Sequence, residues 1–196
     1  MHHYNKSMKK ITLILLFCFI ALCANAQDIY DDFVSESNAV KLQETKGSLL
    51  KKEIFKTKTF SGLFQGFSIS SAMITDLRSG SKEAYVIIRS SADKASYSSI
   101  IDYDELPACI EALDYIINSE ISSKPANYVD VFIKTRDALE IGALYDEALG
   151  TGMRWQTAIT HRKYITNPTI VVPVKRLQEL LDELVSAKVL LDEKLN

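Results

Sequence analysis

The stretch "TIVVPVKRLQELLDELVSAK" (169–188) runs from an extended, valine-rich segment straight into an amphipathic helix, with Pro173 as the only punctuation. The helix stripe is Leu177, Leu180, Leu181, Leu184 and Val185, and it continues to Leu191. These positions recur at the three- and four-residue spacing of one helical face. The same join occurs earlier, in "SSIIDYDELPACIEALDYIINS" (98–119), where Leu106, Cys109, Ile110, Leu113, Ile116 and Ile117 form the stripe. At a shift of 71 residues, Leu106, Cys109, Ile110 and Leu113 fall on Leu177, Leu180, Leu181 and Leu184, and Ile101 and Tyr103 fall on Val172 and Val174. Asp104 is placed to cap the earlier helix, and Pro107 falls in its first turn, where a missing N–H costs little.

Working outward, each helix is preceded by four strand-like segments. In the first half these are 49–60, 67–77, 83–90 and 96–103, with "RSGS" (78–81) as a turn. The second segment alternates Phe67, Ile69, Met73 and Leu77 against Ser68, Ser70 and Asp76, the period of a half-buried strand. "SSKPAN" (122–127) then breaks the chain. In the second half the strands are 128–136, 139–147, 153–162 and 169–174, with "GTG" (150–152) as a turn. Val129, Val131 and Ile133 alternate with Asp130 and Lys134, and Met153, Trp155 and Ile159 alternate with Arg154, Gln156 and Thr160. "FKTK" (55–58) and "FIKTR" (132–136) match at a different shift, so the first copy has the longer loops. The pattern predicts an α+β fold of two tandem ββββα units, with antiparallel sheets packed around two central helices. The expected boundaries are 48–124 and 125–196, joined as one compact domain, with helices over 104–121 and 175–192. The alternative is one α+β domain without duplication.

This order of elements, carried by "SSIIDYDELPACIEAL" and "TIVVPVKRLQELL", resembles the fold of the Whirly proteins and of the transcriptional coactivators that share it. The resemblance covers most of residues 48–192 and is one of topology, without a shared motif. It implies that the two units pack their helices together and splay their sheets outward, and that open sheet faces bind single-stranded nucleic acid.

The N-terminus points to export. Lys6, Lys9 and Lys10 precede the apolar run Ile11–Ala24, and small residues at Ala24 and Ala26 stand before Gln27. A basic region, a short apolar core and an A-x-A site make a secretory signal peptide over 1–26, cleaved after Ala26. The run is shorter than the roughly 20 residues a membrane span needs. A lipid on Cys23 is the variant of this reading, against which stands Leu22 where a lipoprotein site wants a small residue. The location expected is periplasmic or secreted. Residues 27–47 are polar, with weak apolar spacing at Ile29, Phe33, Val40 and Leu42, and read as a tether holding one or two helical turns. Cleavage would remove three lysines and no acids, leaving 20 basic against 25 acidic residues and a net charge of −5. Such a balance disfavours sequence-independent nucleic-acid binding, which depends on neutralising phosphates. Cys109 would be the one cysteine left, which excludes an internal disulfide, and its place on the apolar stripe makes it a small buried hydrophobe.

Chemistry-bearing residues are sparse. His161, in "AITHRKY", is read as an ordinary strand-end residue, because neither a nucleophile motif nor clustered metal ligands accompany it. "DYDE" (102–105) is either a calcium site or, the simpler reading, carboxylates placed at a helix start. "DIYDDF" (28–33) reads as solvated tether, and "GTGMRW" lacks the later glycine or lysine of a phosphate loop. "KKEIFKTK" (51–58) carries four lysines that either grip a polyanion or, more simply, protect a sheet edge. With Val129, Val131 and Ile133 turned to the helices, Tyr128, Phe132 and Lys134 face outward, as do Arg154, Gln156 and Arg162 on the next long strand. Aromatics among cations and amides on an open sheet suit a flat ligand, a glycan or a protein edge. The alternative is a cover of these aromatics by the N-terminal segment or a second subunit. The expectation is therefore a non-enzymatic binding module with no cofactor, metal or catalytic residue. Its partner would be an envelope protein or a glycan, self-association into a homo-oligomer is compatible with the pattern, and nucleic acid is disfavoured. The rival readings are single-stranded nucleic-acid binding and an enzyme whose residues meet only in three dimensions.

Overall fold

Strands β1 (Leu50–Ser61), β2 (Gln65–Asp76), β3 (Lys82–Ala92) and β4 (Ala95–Asp102) pair in sequence order as one antiparallel sheet. Strands β5 (Val129–Lys134), β6 (Leu139–Asp146), β7 (Arg154–His161) and β8 (Thr169–Pro173) do the same as a second. The structure is a computed structural model that describes residues 33–61, 65–92, 95–146, 152 and 154–196. The expected signal peptide, residues 28–32 of the acidic stretch and residues 150–151 of the expected turn lie outside the described residues. Within 35–196, helix α2 (Leu106–Tyr115) follows β4 and helix α3 (Lys175–Leu195) follows β8. This is the tandem ββββα order read from the two strand-to-helix joins.

The helices bury the stripes that the sequence marks. Leu106, Cys109 and Leu113 of α2 and Leu177, Leu180, Leu181, Leu184, Ala187 and Leu191 of α3 are buried. They join one core with Phe67, Ile69, Val86, Ile88 and Ile101 of the first sheet and Ile141, Ala143, Ile159, Ile170 and Val172 of the second. Each large side chain so buried contributes about 1.5–3 kcal/mol. Ile110 is only partly buried, whereas its counterpart Leu181 is 6% exposed.

Two expectations need correction. The first helix is not one α-helix over 104–121. It opens with a 3-10 turn (Tyr103–Glu105) and closes with a π-helical turn (Ile116–Glu120). Its cap is Asp102 rather than Asp104: the Asp102 backbone N–H donates to the Glu105 carboxylate at 3.2 Å, one arm of a capping box. Second, the segment read as a polar tether is part of the packed body from Ser35 onward. Helix α1 (Asn38–Glu44) lies on the outer face of the first sheet, where Ala39 packs with Ala72, Ile74, Tyr85, Ile87 and Ile100. The Asp102 carboxylate holds it there, accepting from Ser37 Oγ at 2.8 Å, Asn38 N at 2.7 Å and Ala39 N at 3.1 Å. A carboxylate at the helix start satisfies N–H groups that have no partner within the helix.

Of the two readings of the β1 lysines, the polyanion grip loses support, because three of the four lysines are in ion pairs. Lys56 Nζ lies 2.7 Å and Lys58 Nζ 3.8 Å from the carboxylate of Glu183, a buried residue of α3, and Lys51 pairs with Glu53 at 3.0 Å. Charged side chains on an edge strand also discourage pairing with another chain.

Candidate ligand face on the second sheet

The alternation of β5 places Val129, Val131 and Ile133 against the core and leaves Asp130, Phe132 and Lys134 exposed on the other side. Strand register then builds the outer face in rows. One row is Asp130, Leu144, Gln156 and Pro173; the next is Phe132, Gly142, Ala158 and Val171; the third is Lys134, Glu140, Thr160 and Thr169. The middle row has its two smallest side chains at its centre. A Cβ on Gly142 would sit 1.9 Å from the Val131 carbonyl oxygen and 2.7 Å from the Phe132 Cα, so β5 crosses at a distance only glycine allows. The result is a hollow of about 130 Å³ whose lining includes Tyr128, Phe132, Glu140, Leu144, Ala158 and Arg162.

Electrostatics inside the hollow are mixed. Arg162 Nε lies 2.7 Å from Glu140 Oε2. Burial raises the Asp130 carboxyl, the Glu140 charge adds to that, and Arg162 opposes it. The Tyr128 hydroxyl is raised first by burial and then by Asp130. Tyr128 is 56% and Phe132 45% exposed, and α1 lies on the other sheet, so the N-terminal helix does not cover them.

All six residues singled out in the sequence share this face, but they divide between two depressions. Tyr128, Phe132 and Arg162 line the hollow. Arg154 and Gln156 line an adjoining groove of about 350 Å³ with Trp155, Val171, Val172, Pro173 and Val174. Lys134 lines neither and stands opposite Glu140 in register. Gln156 is not solvent-exposed as expected: it is 8% exposed, because Leu144 and Pro173 flank it on the neighbouring strands. Asp130 and Glu140 were not singled out. Asp130 shares the parity of Phe132, a signal available in the sequence, whereas Glu140 is placed only by the pairing of β5 with β6. Their presence changes the character of the face from aromatic and cationic to aromatic with both charge signs.

His161 is not an ordinary strand-end residue. It is fully buried, with Nδ1 2.9 Å from Ser99 Oγ and Nε2 2.9 Å from Ser90 Oγ, so it joins the second sheet to two strands of the first. Burial, then the Lys163 charge, lowers its pKa to about 4, against the opposing pull of Asp137. A serine–imidazole contact can activate a nucleophile, but Ser90, Ser99 and His161 are each 0% exposed, sealed from any substrate. At the start of α2, Arg136 reaches Asp102 at 3.1 Å, Glu105 at 3.5 Å and also Asp104. The protein's own guanidinium thus occupies the point where the "DYDE" carboxylates converge. Cys109 is buried and its thiol is pushed up to about 12, by burial first and the Glu105 charge second, so it is inert as a nucleophile.

Fold and face together define an α+β protein with two tandem ββββα units and an aromatic-rimmed trough on the second sheet. No family model matches the chain, and no curated protein matches it.

Proposed function

We propose that the chain is an exported, non-catalytic binding module whose partner, an envelope protein or glycan, docks on the outer face of the second sheet. The observation that carries this reading is the trough itself: Tyr128 and Phe132 stand half-exposed beside a floor lowered by Gly142 and Ala158. Exposed aromatics beside a concave, partly polar floor are a favourable anchor for a ligand. The basic, apolar and small-residue order of 1–26 supports export. The nucleic-acid binding that the Whirly-like resemblance implies finds little support on this face, where Asp130, Glu140 and Asp146 stand among Lys134, Arg154 and Arg162 and would repel phosphates.

The test is site-specific photo-crosslinking in an exporting host, with benzoylphenylalanine at position 132 or, as control, at position 59 on the first sheet. The expected result is a light-dependent adduct from 132 and none from 59. An adduct of twice the chain's mass would identify the partner as a second copy. Equal adducts from both positions, or one from 59 alone, would refute the assignment of the face.

A further inference from the structure

We propose that the groove beside Gln156 receives the free C-terminal carboxylate of a peptide segment, an inference that rests on the reading of this face as the binding surface. The Gln156 side chain is 8% exposed, and its Nε2 is a buried donor without an acceptor among the described residues. Buried donors are almost always partnered, and Gln156 borders the groove, so a turn of its amide toward the groove would give Nε2 the acceptor it lacks. Thr157 Oγ1 donates toward the Pro173 oxygen at 3.4 Å and the Val174 oxygen at 3.3 Å. The Trp155 indole N–H is likewise taken, donating to the Ser123 carbonyl at 2.9 Å.

The lining fixes the chemistry of the guest. Among the described residues that line the groove, Arg154, exposed at the mouth, is the one charged side chain, and Val171, Pro173 and Val174 make an aliphatic wall. A guest that fits is anionic, planar and acceptor-only at one end and apolar beside it. A carboxylate meets this, with one oxygen on Gln156 Nε2 and the other toward Arg154; hydrogen bonds with an ionised partner are the stronger kind. The aliphatic wall favours the side chain of a terminal amino acid over a sugar acid, whose many hydroxyls would need polar partners that Val171, Pro173 and Val174 do not supply. C-terminal capture is an established way for a protein to read a peptide end. The residues upstream of that end have a path, because Leu144 and Ala158 of the trough lie beside Gln156 and Val171 in register.

The test is an NMR titration of the whole ¹⁵N-labelled chain with N-acetyl-valyl-leucine, its C-terminal amide and N-acetylmuramic acid. The free dipeptide should move the Gln156 side-chain amide signals and the backbone amides of Val171 and Val174 saturably. The C-terminal amide should bind at least about tenfold more weakly. Gln156→Met, which removes the donor at similar volume, should abolish the preference for the acid. The titration of the unaltered chain carries the test even where that variant folds poorly. Equal binding of acid and amide would overturn the carboxylate assignment. Movement with N-acetylmuramic acid alone would overturn the peptide. No movement with any of the three would overturn the site, while the crosslink from position 132 judges the face separately.

Discussion

Acid should weaken the fold through one imidazole. The folded His161 has a pKa of about 4 against a reference of 6.5, so between those values the unfolded chain holds a proton that the folded chain refuses. Stability therefore falls as pH drops through this window and is fully present above it. The gap corresponds to about 3 kcal/mol at its limit, and about 2 kcal/mol of that is already lost at pH 5. Against a total of about 5–15 kcal/mol for a domain this is a large fraction. The two serine hydroxyls can accept from a doubly protonated ring, so the penalty comes from burial and from Lys163 rather than from lost hydrogen bonds. Glu83 and Asp130, both raised mainly by burial, act in the opposite sense, since they take up protons more readily when folded. A comparison with His161→Gln isolates the imidazole. Urea unfolding followed by Trp155 fluorescence at pH 7.5, 6.5 and 5.0 should show the native chain losing about 2 kcal/mol more than the variant. The same pH slope in both chains would refute the reasoning.

Gly142→Ala should destabilise by about 3 kcal/mol or more in the same assay, since the added methyl meets backbone that cannot turn aside; a loss under about 1 kcal/mol would show that β5 is free to move away. Asp102→Ala removes the acceptor for Ser37, Asn38 and Ala39, so amides of 38–44 should exchange with deuterium at least about tenfold faster while β6 and β7 stay protected. Unchanged exchange there would mean that apolar contact alone holds α1. Leu181→Asp puts a charge into the core that both sheets share, a penalty of several kcal/mol. Both units should then melt in one transition, and survival of 48–124 after 125–196 has unfolded would contradict the shared core.

Local periodicity made much of the fold legible. The alternation through Val129, Val131 and Ile133 marks a strand with one buried face, and the recurring leucines after Val172 mark the helix that completes the core. What the sequence hides are partners far along the chain. Ala39 reads as an unremarkable residue in a polar segment until Asp102 pins the start of its helix. His161 meets Ser90 and Ser99 only because the two sheets face each other, and Glu183 sits on a buried helix face only because Lys56 reaches it. In the candidate site, parity was enough to place Tyr128, Phe132, Arg154, Gln156 and Arg162 on one face. The depth of the trough was not legible, because it depends on how closely β5 crosses Gly142, and neither was the burial of Gln156, which depends on Leu144 and Pro173.

The proposed binding surface is the outer face of the second sheet. Ala158 lies at the centre of that face, Ala72 lies beneath α1 on the first sheet, and Ala84 lies in the shared core. A chain carrying ¹³C-labelled alanine methyls, mixed with a periplasmic extract of the exporting host, reports on all three at once. The Ala158 methyl signal should shift or broaden while those of Ala72 and Ala84 hold still. A response at Ala72 with none at Ala158 would contradict the assignment of the second sheet's outer face.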